Sequence, residues 1–198
     1  MSSITRQVNK GFSILLRRLR AQGLRTTFLW AFGRILPGIT GVPLLQYCEV
    51  TPQLYVGSQF NALGKRLLIQ HGIRSSVNMR IERDDAPLGL AMEQYLYLPT
   101  LDDEAPSIAH LDQGVEFIRK VTADGGKVYI HCGAGVGRAP TMAAAYLIAE
   151  GYRVDEALAM IRKVRPFITI TEPQLARLSE YETRLRREAA STSEKITV

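Results

Sequence analysis

Residues 127–141 read KVYIHCGAGVGRAPT. Val128 to His131 is short, apolar and β-rich, which predicts a buried strand. The spacer Gly133, Ala134, Gly135, Val136 and Gly137 carries no charge, and Arg138 follows it. An alanine-rich stretch from Thr141 to Glu150 then predicts a helix that stops at Gly151. Strand, small-residue loop and helix in that order mark one unit of an α/β fold.

That order has chemical consequences. Three glycines let the backbone curl so that successive N–H groups converge into an anion nest. The helix adds its unpaired N–H groups and the positive end of its dipole. Arg138 can return over the nest and hold two oxygens of a phosphoryl group with its planar fork. Cys132 then lies in a positive field that favours the thiolate, placed for in-line attack to form a phosphocysteine. Other readings fit less well. A Walker loop needs a lysine after its glycines, dinucleotide binding needs a different glycine spacing, and sulfur-transfer loops are tighter. A purely structural reading leaves a buried strand-end cysteine beside a glycine-rich turn.

Outward from this loop the chain alternates strands and helices. Leu54 to Val56, Ser75 to Met79 and Tyr95 to Leu98 read as further strands. Ile108, Leu111, Val115 and Ile118 form one apolar stripe after a cap at Ser107. Val154 to Val164 repeats the pattern and stops at Arg165-Pro166. A last helix starts at Thr171, where Gln174 completes a capping box, and runs to about Arg187. The expected fold is α/β, a small central sheet with helices on both faces. Three segments are expected: a basic arm over residues 1–48, a catalytic domain over 49–188 and a flexible tail over 189–198.

Composition narrows the class. The chain has 198 residues, 46% hydrophobic and 22% charged, the profile of one globular domain. Two cysteines exclude a disulfide scaffold and point to a reducing compartment, so a cytoplasmic location is expected. Three scattered histidines argue against a metal centre. No apolar run reaches the roughly 18 residues of a membrane span. The net charge of +6 belongs to the arm: Arg6, Lys10, Arg17, Arg18, Arg20, Arg25 and Arg34 stand there without one acid. Phe12, Leu15, Leu16 and Leu19 keep helical spacing, with Lys10, Arg17 and Arg20 on the other side. The arm reads as a helix packed on the domain or as a peripheral anchor for anionic membrane through residues 1–36. No basic face with aromatic or groove-reading residues marks the body, so nucleic acid is not an expected partner.

His131-Cys132-x5-Arg138 resembles the signature of the cysteine-dependent protein tyrosine phosphatase superfamily. The short body resembles its dual-specificity branch, from about Val50 to Tyr181, including VNMR at Val77–Arg80 and RPFITITEPQLARL at Arg165–Leu178. The resemblance implies a hydrolase that needs no cofactor and no metal, with Cys132 as nucleophile and Arg138 and the loop 133–137 binding phosphate. It implies that His131 tunes the loop through hydrogen bonding, which a satisfied buried histidine also permits. It also implies a general acid about thirty residues before the cysteine, matched best at Asp102, with Asp103 as runner-up. Negative charge at a helix start explains Asp103 and Glu104 equally well. The chain departs from the family at Ala139, where a hydroxyl usually stabilises the departing thiolate; Thr141 is two positions further on. Cys48 reads as core.

Three functions follow. The first is a phosphoprotein phosphatase acting on phosphotyrosine, with phosphoserine and phosphothreonine as further substrates. The second is a membrane-surface phosphatase of a phosphatidylglycerophosphate-like lipid. The third is a weakly active phosphate-binding module. The uncharged spacer argues against a polyphosphorylated headgroup, and a glucan substrate ranks last. The first leads, by analogy with the branch.

Overall fold

The computed structural model describes residues 40–196. Five strands, β1 (Glu49–Thr51), β2 (Leu54–Ser58), β3 (Ile73–Arg80), β4 (Gln94–Thr100) and β5 (Lys127–Cys132), form one sheet. Among the described residues the longer helices that accompany it are α1 (Ala62–Gln70), α2 (Ile108–Ala123), α3 (Arg138–Ala149), α4 (Val154–Val164) and α5 (Glu172–Ile196). The sheet order is β1-β2-β5-β3-β4, parallel except for β1, which pairs antiparallel with β2. This is the α/β fold expected, with both faces covered.

Alternation along the strands divides the core. Leu54, Val56, Val77, Met79, Val128, Ile130 and Cys132 face α2–α5. Tyr55, Ile73 and Tyr129 face the other way, against Leu68 of α1 and the loop residues Leu90 and Met92. Central parallel strands are buried on both faces, which explains the nearly unbroken apolar run of β5. Because β2, β5, β3 and β4 are parallel, their carboxyl ends open on one edge of the sheet. A chain whose order jumps there leaves a crevice beyond those ends, where ligands bind in open α/β sheets.

Several element boundaries differ from expectation. Helix α3 starts at Arg138 rather than Thr141; Pro140 then lies in its first turn, where a missing N–H costs nothing. Helix α5 continues through the expected tail, because Arg184 to Ala190 are strong helix formers and Arg186–Glu182 and Arg184–Glu188 pair at i,i+4 spacing. Strand β1 and helix α1 were not expected. The first is only three residues long, and the second shows a short apolar run capped by Asn61, whose side chain accepts from Gly64 N–H. Residues 40–48 pack with the body: Cys48 is buried, and Asn61 bonds the carbonyls of Thr40 and Gly41. The amphipathic stretch around Phe12 to Leu19 lies outside the described residues.

Candidate active site

Strand β5 delivers Cys132 to the crevice, and the loop 133–137 carries the chain into α3. All five spacer carbonyls accept hydrogen bonds from outside the loop. Gly133 O receives Gln59 N–H at 3.2 Å and Val136 O receives Thr169 N–H at 2.7 Å. Ala134 O and Gly135 O are held by the Arg165 guanidinium at 3.4 and 3.1 Å. Gly137 O takes both the N–H of Thr141 at 3.0 Å and its hydroxyl at 2.9 Å. With every carbonyl turned outward, the N–H groups line the inside of the loop. The N–H of Gly135 donates to Cys132 Sγ at 3.3 Å.

Gly135 shows what this curl demands. Its φ is +67°, and a Cβ there would stand 2.3 Å from Gly57 O. Gly135→Ala is therefore expected to cost about 2–4 kcal/mol. It should lower the melting temperature by about 5–10 °C, with loss of orthovanadate binding in a competition assay. A variant that melts and binds like the parent would contradict the loop geometry.

Arg138 opens α3 and is almost wholly buried. Its fork meets Glu82 with two bonds, Nη1 to Oε2 at 2.8 Å and Nη2 to Oε1 at 2.9 Å. Nη1 also donates to Thr100 O at 2.8 Å. Nε is buried and has no partner among the described residues. The grip of Arg138 holds the Glu82 carboxyl down at about 2, against the opposing effect of its partial burial. Glu82 therefore stays ionised throughout the neutral range and fixes the arginine.

The structure brings Asp102 to the same place. Its Oδ1 is 3.0 Å from Arg138 Nη2, while the side chain remains 79% exposed. Asp103 adopts φ +64°, and its carbonyl accepts the Thr171 hydroxyl at 2.8 Å. Glu104 O accepts Gln174 Nε2 at 3.1 Å, and Gln174 forms the expected capping box with Thr171. Residues 165–174 thus bind the 133–137 loop through Arg165 and Thr169 and the loop bearing Asp102 through Thr171 and Gln174. The Thr141 hydroxyl is committed to Gly137 O, so it does not replace the hydroxyl missing at Ala139. Cys48 is buried, donates to Leu44 O at 3.2 Å, and its thiol is pushed up by burial more than nearby Arg165 pulls it down.

Residues 54–184 match the dual specificity phosphatase catalytic domain model. The chain belongs to that family. Dual specificity protein phosphatase 16 of Homo sapiens is 31% identical over 149 residues, covering 74% of this chain and 22% of that protein. The chain thus spans about a fifth of that relative's length. Phosphatidylglycerophosphatase and protein-tyrosine phosphatase 1 of Mus musculus is 34% identical over 135 residues, covering 64% of this chain and 70% of that protein. Among solved structures, PTPMT1 in complex with PI(5)P superposes with a TM-score of 0.65 at 30% identity, covering 71% of this chain and 96% of that one.

The structure places Cys132, residues 133–137, Arg138 and Asp102 together, and His131 directly behind them. Sequence reading missed Glu82, Arg165 and Gln59. The first acid of a short charged run past the strand that ends at Arg80 was the available signal for Glu82. For Arg165 it was a base placed between a helix end and a proline.

Proposed function

We propose that the chain hydrolyses phosphomonoesters of phosphoproteins, phosphotyrosine first, through a phosphocysteine intermediate. The single observation that carries this reading is the set of five outward-pinned carbonyls, which turns the loop's N–H groups inward, that of Gly135 onto Cys132 Sγ. Phosphoryl oxygens seat on those groups and on the unpartnered Nε of Arg138. The Cys132 thiolate attacks phosphorus, the P–S bond forms and the P–O bond breaks, and Asp102 protonates the departing oxygen. In the second step Asp102 takes a proton from water, the water oxygen bonds phosphorus, and the thiolate leaves as phosphate is formed. His131 supports the strand end from behind. With Ala139 and a committed Thr141, the departing thiolate relies on the Gly135 N–H, so hydrolysis of the intermediate is the slower step.

One observation favours a phospholipid substrate as a second reading. Ile81 and Leu101, 49% and 59% exposed, follow the carboxyl ends of β3 and β4 beside Asp102. An apolar rim there suits a substrate whose phosphate hangs from an acyl-bearing surface, and residues 1–36 would supply the basic attachment to it. No described helix is long and apolar enough to cross a membrane.

Turnover compared on a phosphotyrosine peptide, a phosphoserine peptide and phosphatidylglycerophosphate vesicles separates the readings. The phosphoprotein reading expects kcat/KM at least about tenfold higher on the phosphotyrosine peptide than on the vesicles, a difference of about 1.4 kcal/mol in transition-state binding. The reverse order would replace it with the lipid reading. Tight phosphopeptide binding without repeated turnover would leave a binding module.

A further inference from the structure

On the sheet face turned away from α2–α5, a second polar assembly adjoins the nucleophile, of which the reaction above uses only the support His131 gives the strand end. His131, immediately before Cys132, is fully buried. Its ring stacks on Tyr129 with centroids 5.9 Å apart and meets the edge of Phe60 at 5.1 Å. Into this apolar surrounding comes a carboxylate: Asp85 is also fully buried, with Oδ2 at 3.0 Å from His131 Nε2, off the line of an ideal hydrogen bond. Its Oδ1 accepts Gln59 Nε2 at 2.9 Å.

The backbone of Asp85 organises the segment that carries it. Its carbonyl accepts the N–H groups of Leu88, Leu90 and Ala91 at 3.2, 3.0 and 3.3 Å, and its own N–H donates to the Tyr95 hydroxyl at 3.1 Å. Three residues earlier the same segment bears Glu82, which grips Arg138. A second connection joins the two acids through side chains. Gln59 Oε1 accepts Arg80 Nη1 at 3.1 Å, and Arg80 Nε donates to Glu82 Oε1 at 2.9 Å. Gln59 N–H also holds Gly133 O. A continuous polar chain therefore runs from His131, at the start of the phosphate loop, through Asp85, Gln59, Arg80 and Glu82 to Arg138 at its end.

We propose that Asp85 is a positioning residue for the phosphate site: seated on His131, it docks the 81–91 segment against β5 and thereby fixes Glu82 and the fork of Arg138. The inference rests on the phosphoryl-transfer reading above. A buried carboxylate without partners costs several kcal/mol, so the segment docks with Asp85 paired or releases it to water. Burial pushes the Asp85 carboxyl up, but the His131 contact, the Gln59 amide and the charge of Arg80 together hold it below its ordinary value. What the acid adds is register, because one of its oxygens accepts Gln59 Nε2 while the other sets its charge against His131 Nε2.

The test uses the full chain and orthovanadate as the phosphate-site probe. Asp85→Asn is expected to raise the vanadate inhibition constant and the KM for a small aryl phosphate about tenfold, the effect of losing one charge-assisted hydrogen bond. In a double-mutant cycle with Glu82→Gln, the effects should be non-additive, the double variant binding vanadate about as weakly as the worse single one. A role in stability alone predicts a lower melting temperature with vanadate affinity unchanged. That result, or effects that multiply in the cycle, would overturn the proposal. Where Asp85→Asn does not fold, Gln59→Leu, which cuts the link from Asp85 to Arg80, should weaken vanadate binding in the same direction; unchanged affinity there also overturns it. A parent protein that neither binds vanadate nor turns over aryl phosphate would instead sink the phosphoryl-transfer reading.

Discussion

Cys132→Ser is expected to abolish turnover of a small aryl phosphate in the presence of a chelator, by about 10⁴-fold or more. In the proposed reaction the loop's N–H groups and one guanidinium would serve an anion rather than generate one. A serine hydroxyl is a far weaker acid and nucleophile than a thiol, and Asp102 faces Arg138 rather than residue 132. Because the five carbonyl anchors do not involve the sulfur, the loop should keep its shape. Orthovanadate should lose the covalent part of its affinity, whereas tungstate, read by thermal shift, should bind within about threefold of the parent, a change of under 1 kcal/mol. Turnover that survives the substitution would remove Cys132 as nucleophile. Loss of tungstate binding together with turnover would mean that the loop had collapsed.

The second large effect concerns the acid. Asp102→Asn should lower kcat by about 10²–10³-fold for a substrate with a strongly basic leaving oxygen, since general acids contribute on that scale. For a nitrophenyl leaving group, which departs without a proton, the loss should shrink to a few-fold. Asp102 earns this assignment by place: its carboxylate stands 3.0 Å from the arginine that would hold the phosphate. Asp103 occupies a left-handed turn, with its carbonyl tied to Thr171. Asparagine tolerates that backbone region, so Asp103→Asn should change kcat by no more than about twofold for either leaving group. The opposite ranking, with leaving-group sensitivity following residue 103, would move the acid.

These two residues also show what could be read from one sequence. The strands around Val77 and Ile130 were legible as short runs rich in β-formers and bounded by turn residues, and the helices at Ser107 and Val154 by their fixed apolar period. The phosphate loop was legible because its glycines, cysteine and arginine are consecutive. Partners that meet across the sheet were not. Glu82 reaches Arg138 across 56 residues, and Arg165 reaches Gly135 across 30. Both pairings depend on β5 lying between β2 and β3, an order that periodicity does not encode. Asp85 and Glu82 drew no reading because the stretch between β3 and β4 lacks any apolar period, yet one is fully buried and the other fixes the arginine. Helix α5 ran past its expected end because helix-forming residues and i,i+4 pairs continue where the apolar stripe fades.

A covalent adduct on sulfur is the central chemical claim, and it can be observed directly. The protein would be mixed with an aryl phosphate, quenched within milliseconds and digested, and the peptides sequenced by mass spectrometry. Slow hydrolysis of the intermediate, expected from Ala139 and the committed hydroxyl of Thr141, should make the adduct accumulate. The predicted result is one phosphoryl group per protein on the peptide containing Cys132, formed and discharged at rates that account for turnover. Steady turnover with no adduct on Cys132, or with the phosphoryl group on another side chain, would contradict the account.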